Sequence, residues 1–136
     1  MKTFSCLVAC VLFSACSSVP ISSDRATETT RIVQSDYLTQ SSDRTVKVVV
    51  IQDDVFGPSA IKPKIFIDGK EIGSLSQGEK ITFYVAPGVH QLAWSALTKG
   101  NYREQEFQIS EEMHNVFHLA SPAGDVIRFV RDKYRQ

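Results

Sequence analysis

Lys64-Ile65-Phe66-Ile67-Asp68-Gly69-Lys70-Glu71-Ile72-Gly73 is the stretch that decides the fold. Two short extended segments flank an Asp-Gly pair. Such a pair favours a type I′ turn, in which both central residues take positive φ and glycine does so without a Cβ clash. The stretch therefore predicts a tight β-hairpin with Asp68 and Gly69 at its tip. Upstream, Thr45 to Ile51 is dense in β-branched residues, and Val46, Val48 and Val50 fall on one face at period two. Between them, Gly57-Pro58 and Lys62-Pro63 mark a loop. Downstream, Lys80 to Val85 sets Ile81, Phe83 and Val85 against Thr82 and Tyr84, and Ala86-Pro87-Gly88 turns the chain. Val89 to Leu97 carries His90, Leu92, Trp94 and Ala96 on one face. Further strands are expected over Tyr102 to Ile109, Met113 to Ala120 and Val126 to Val130. Short strands at this spacing, with no helix of ordinary length between them, predict an all-β fold: an antiparallel β-sandwich of about seven strands over residues 44–136.

Ile67-Asp68-Gly69-Lys70-Glu71-Ile72-Gly73, followed by Val85-Ala86-Pro87-Gly88-Val89-His90, resembles the pattern of PEGA-type domains and of a family of small uncharacterised bacterial lipoproteins. Ser74-Leu75 stands where PEGA repeats usually carry Thr-Pro, so the lipoprotein family is the closer likeness. The resemblance covers about residues 44–120. It implies a β-sandwich module of an extracytoplasmic protein, with Asp68, Gly69, Gly73, Pro87 and Gly88 as turn builders and His90 bonded to nearby backbone.

The amino-terminal end supplies a location. Met1-Lys2 precedes an apolar run that closes on Phe13-Ser14-Ala15-Cys16, with polar Ser17-Ser18 behind it. A positive charge, a short apolar core and small residues before a cleavage point make a secretory signal over residues 1–15. The run falls well short of the roughly 20 residues that a membrane-spanning helix needs. Phe13-Ser14-Ala15-Cys16 also resembles the lipobox of bacterial lipoproteins, which implies that Cys16 becomes the acylated first residue of the mature chain. Leu7-Val8-Ala9-Cys10 matches that motif as well, but cleavage there would leave too short a signal. Ser17, rather than Asp, follows the cysteine, and in such lipoproteins this points to the outer membrane, facing the periplasm. Cys6 and Cys10 leave with the signal and lipid caps Cys16, so no thiol remains for a disulfide or a cysteine metal site.

Residues 16–43 are rich in Ser, Thr, Asp and Arg with scattered apolar positions. That composition predicts a lipidated cysteine followed by a flexible tether with an end-to-end distance of about 30 Å, in which Thr29 to Leu38 could wind into a short helix. Lys and Arg together number 15, as do Asp and Glu. Removing residues 1–15 takes away only Lys2, and a chain this balanced carries no electrostatic footprint for nucleic acid.

The chemistry-bearing residues are sparse. The carboxylates at Glu71, Glu79, Glu104, Glu106, Glu111 and Glu112 fall in turns or on alternating polar faces, where solvated surface is the expected role. Asp53-Asp54 lacks the ordered spacing of a calcium loop. His114 and His118, four apart, would share one face of a strand, yet zinc needs further ligands. No Gly-x-Ser-x-Gly elbow and no phosphate loop is present. Trp94, with Phe83, Tyr84 and Phe107, is a candidate ligand surface, although packing is the commoner task of such residues. The expectation is a non-enzymatic protein without metal or cofactor, held to a membrane by its lipid and meeting an envelope protein or peptidoglycan. A glycan or small-ligand module and an accessory subunit of an envelope-spanning secretion or transport assembly are the alternatives, with an envelope hydrolase third.

Overall fold

The computed structural model describes residues 19–54, 62–96, 102–121 and 126–133. Cys16, the expected signal and the Gly57-Pro58 part of the expected loop lie outside them. The chain forms β1 (Thr27–Glu28), a 3-10 turn (Ser35–Leu38), β2 (Val46–Gln52), β3 (Lys64–Ile67), β4 (Lys70–Ser74), β5 (Glu79–Val85), β6 (Gly88–Ser95), β7 (Arg103–Ile109), β8 (Val116–Ala120) and β9 (Arg128–Arg131). One sheet has the order β1-β5-β2-β8-β9 and the other β4-β3-β6-β7, so the all-β sandwich expected from the sequence is the fold. The pairing is mostly antiparallel. The exceptions are β2 with β8 and β1 with β5, which run parallel.

Between the sheets lies one core, built from Val46, Val48 and Val50 of β2, Ile65 and Ile67 of β3, Ile81, Phe83 and Val85 of β5, and Phe117 and Leu119 of β8 among others. Fully burying each such side chain contributes roughly 1.5–3 kcal/mol. The continuous run Val48-Val49-Val50-Ile51 is apolar at every position because β2 is covered on both faces. Val49 and Ile51 point away from the main core into a second small cluster with Ala26, Ile21 and Val116.

At the tip of the β3–β4 hairpin, Asp68 has φ 49° and Gly69 φ 80°, as a type I′ turn requires. Gly73 is not a turn residue. It lies inside β4 beside a bulge: Ile65 pairs with Gly73 and Phe66 with Glu71, which leaves Ile72 as the extra residue. A Cβ at Gly73 would stand 2.5 Å from the Arg31 carbonyl, so its bareness admits a neighbouring segment.

That segment is the stretch read from composition as a tether. From Val19 onward it is laid against the body. Val19 bridges Asp54, β1 pairs with β5, and Ile32 bridges Gly73. Thr29 N donates to Lys80 O at 2.9 Å, and Val33 N to the bulged Ile72 O at 3.0 Å. Arg31 reaches Ser74, Ser76 and Glu79. Residues 27–33 thus cross from the β5 edge of one sheet to the β4 edge of the other and close that side of the sandwich. Composition misjudged this stretch because it weighs side chains, whereas backbone pairing plus a few apolar contacts (Ile21, Ala26, Ile32, Tyr37, Leu38) hold it. The helix allowed over 29–38 reduces to the 3-10 turn.

The opposite side is closed by side chains. The Gln105 amide on β7 meets the backbone of Phe129 on β9 at both ends: Nε2 donates to Phe129 O at 3.1 Å, and Oε1 accepts from Phe129 N at 2.7 Å. It behaves as one extra peptide unit of a ladder. Arg131, also on β9, donates to Gln108 O and lies over Phe117 at 4.8 Å from the ring centroid; burial pushes its guanidinium below the ordinary arginine value.

Candidate functional site: a row of Asp and His on the outer face of the five-stranded sheet

Alternation along β2 and β8 sends Lys47, Val49, Ile51, Val116 and His118 to the face opposite the main core. Ile51 and His118 are register partners, and the next outward residue on β2 is Asp53. Nothing local to either residue brings His118 and Asp53 together, since 65 positions separate them. The parallel β2–β8 pairing brings them together: Asp53 Oδ1 accepts from His118 Nδ1 at 2.6 Å and from Ile21 N at 3.1 Å. Asp53 is 2 % exposed and His118 9 %.

The other side of the imidazole faces the chain just past β9. Asp132 Oδ2 lies 3.7 Å from His118 Nε2 and 3.8 Å from His114 Nε2. Asp132 is held there by its own N–H, which donates to Val116 O at 2.8 Å. Asp53, His118, Asp132 and His114 thus form a row of alternating acid and imidazole. His114 lies before the start of β8, outside the strand, so the two histidines do not share a strand face as their spacing suggested; they converge on one carboxylate instead. Burial pulls the His118 value down, but the Asp53 hydrogen bond and charge, with Asp132 adding to them, outweigh it and leave His118 raised above the ordinary histidine range.

This row can hold a proton and a charge inside the protein. Its first two members have the orientation of an acid–histidine pair that serves a nucleophile, but the group facing Nε2 is a carboxylate. Among the described residues no three His, Cys, Asp or Glu side chains gather in a way that could hold a metal ion. Next to the row, a cleft of about 420 Å³ opens on the same face, lined in part by Lys47, Glu111, Met113, His114 and Asn115.

The remaining sequence candidates fall elsewhere. Asp68 and His90 meet at the hairpin end: His90 Nδ1 lies 2.6 Å from Asp68 Oδ2, and His90 Nε2 lies 2.6 Å from the Ala86 carbonyl. Asp68 also accepts from Gln91 N at 2.9 Å. The two halves of the family-like pattern, Asp68-Gly69 and Pro87-Gly88-Val89-His90, are therefore clasped to each other through one imidazole. Gly88 opens β6 with φ 138°, a value that suits glycine. Trp94 is half-buried on the core face of β6, opposite Ile65, and its indole N–H is enclosed without a hydrogen-bond partner among the described residues. It contributes to packing rather than to the outer cleft. Among the described residues no helix is long and apolar enough to cross a membrane. Compared with known proteins, the chain matches no family model, no curated protein and no solved structure.

Proposed function

We propose that this chain is a lipid-anchored, non-enzymatic envelope protein whose β-sandwich acts through contacts with another envelope protein or with peptidoglycan at the periplasmic face of the outer membrane. The observation that carries the reading is Phe13-Ser14-Ala15-Cys16 behind a short apolar run, an anatomy suited to signal cleavage and acylation. More than one acyl chain on Cys16 would make attachment lasting, because a single chain gives only marginal binding. The resemblance to small bacterial lipoproteins around Asp68-Gly69 and Pro87-Gly88 agrees with it. Membrane fractionation of cells producing the wild type and Cys16→Ser tests it. The wild type is expected in the membrane fraction and the variant in the soluble one, and equal partition of the two would refute the anchor.

A glycan or small-ligand module is the second reading, favoured by the outer cleft beside His114 rather than by Trp94. Titration with peptidoglycan fragments should give a saturable heat that Lys47→Ala or Glu111→Ala reduces; heat that neither change alters would remove the cleft from consideration.

A further inference from the structure

The anchor and the body are joined more closely than the polar composition of residues 17–43 suggests. Val19 N donates to Asp54 O at 2.7 Å, so the body begins three residues after Cys16. Three residues span at most about 11 Å, against about 30 Å for the free coil expected from composition. If Cys16 sits in a bilayer, the Val19 end of the sandwich lies within about 11 Å of it.

That end is identifiable. Gly78 N donates to Gln52 O, Leu75 N to Pro63 O, and Asp53 N to Leu119 O. The ends of β2, β4 and β8 and the starts of β3, β5 and β9 therefore lie together with Val19. Seven large apolar or aromatic residues are exposed among those described, and four of them are here: Val19 at 50 %, Tyr102, Val126 at 67 % and Ile127. Val19 and Ile127 flank β2 and β8 and so stand about three strand spacings, roughly 14 Å, apart, too far to cover one another. Exposed Arg25 lies beside Val19 and exposed Arg128 follows Ile127, with Lys62 and Arg103 at the same end; these four outnumber exposed Asp24, Asp54 and Glu104. The far end has the reverse balance, with Asp36, Asp43, Asp68, Glu111 and Glu112 exposed against Lys47, Lys70 and Lys133.

We propose that the end carrying Val19, Tyr102 and Val126–Ile127 rests on the phospholipid headgroups of the membrane that Cys16 anchors, with Arg25 and Arg128 on anionic lipid and the Asp68–His90 end pointing away. This rests on the lipid-anchor reading. The apolar tips gain burial at the headgroup boundary, and the cations gain attraction to anionic lipid. The far end stands off by about the length of a seven-residue strand, roughly 24 Å.

The mature chain offers no thiol once Cys16 is acylated, so single cysteines can carry a fluorophore. The full chain with Val126→Cys or Ile127→Cys at the near end, or Val89→Cys or Met113→Cys at the far end, is purified from membranes and labelled. It is then placed in vesicles of phosphatidylethanolamine and phosphatidylglycerol that contain a nitroxide-headgroup lipid. Both near labels are expected to lose most of their emission and both far labels almost none. Mass spectrometry of the same samples reads the acyl chains on Cys16. Acylated protein whose near and far labels respond alike overturns the orientation alone, whereas protein without acyl chains overturns the anchor and the orientation with it.

Discussion

The sandwich contains two Asp–His pairs of equal length, Asp68–His90 and Asp53–His118, each with Nδ1 2.6 Å from a carboxylate oxygen. They do opposite jobs because they sit in different solvent. The Asp68 side chain is 46 % exposed, and its pair joins two turns only 22 positions apart. The Asp53 side chain is 3 % exposed, and its pair joins a strand end, a distant strand and, through Ile21, the amino-terminal segment. Water screens the first pair and replaces it cheaply when broken, whereas the second has no water to fall back on. Contact length therefore says little about worth; burial decides.

Four measurements would break or sharpen that contrast. The largest effect is expected from Asp53→Ala, which leaves the buried Nδ1 of His118 without its partner and strips Ile21 N of its acceptor. A loss of about 3–5 kcal/mol in denaturant unfolding is expected, with Asp53→Asn losing less because an amide oxygen still accepts. If Asp53→Ala cost no more than an exposed pair, the buried pair would not matter as argued.

Next is the pH dependence of stability. His118 is raised in the folded protein by Asp53 and Asp132 against the opposing pull of burial. Its stabilisation is therefore fully present below the unfolded histidine value of about 6.5 and fades as pH rises through the higher folded value. Urea midpoints measured from mildly acidic to mildly alkaline pH should fall across that window in the wild type, and the fall should be absent in His118→Gln. A slope that survives the substitution assigns it to another group.

A smaller loss, about 1 kcal/mol, is expected from His90→Ala at the exposed clasp, seen as a modest drop in melting temperature with the strand spectrum intact. The smallest effect is that of salt. Raising ionic strength should weaken the contribution of Asp68–His90, measured as the difference between wild type and His90→Ala, by a few tenths of a kcal/mol, and leave that of Asp53–His118 nearly unchanged. Equal screening of both would mean that Asp53 is wetter than its burial indicates.

The same contrast separates what could be read from the chain from what could not. Asp68-Gly69 announces its hairpin because a type I′ turn is a local demand on two adjacent residues, and Pro87-Gly88 announces the second turn for the same reason. His90 was expected at backbone, and Ala86 O is there; its hold on Asp68 follows once the two turns face each other. The Asp53–His118–Asp132–His114 row gave no such signal. Asp53-Asp54 shows only a pair without the spacing of a calcium loop and His118 only one member of an i, i+4 pair, because nothing nearby in sequence shows that β2 and β8 will run side by side in parallel. Nor did the closure of the sandwich show: Gln105 is one of several polar residues on β7, and Arg31 one of several in a Ser/Thr-rich stretch. Gly73 invited a turn assignment, though its missing Cβ serves the approach of Arg31 inside a strand.

By itself, the sequence determined the strand segments beyond residue 44, where the tight turns fall and that the fold is all-β, because alternation and turn stereochemistry act over a few neighbouring residues. Only the tertiary structure decided that β2 is buried on both faces, that residues 19–33 strap the sheets together and that an acid–imidazole row lies on the outer face. Those features depend on which distant backbones pair, and pairing is settled by the burial of the whole core rather than by any local run of residues.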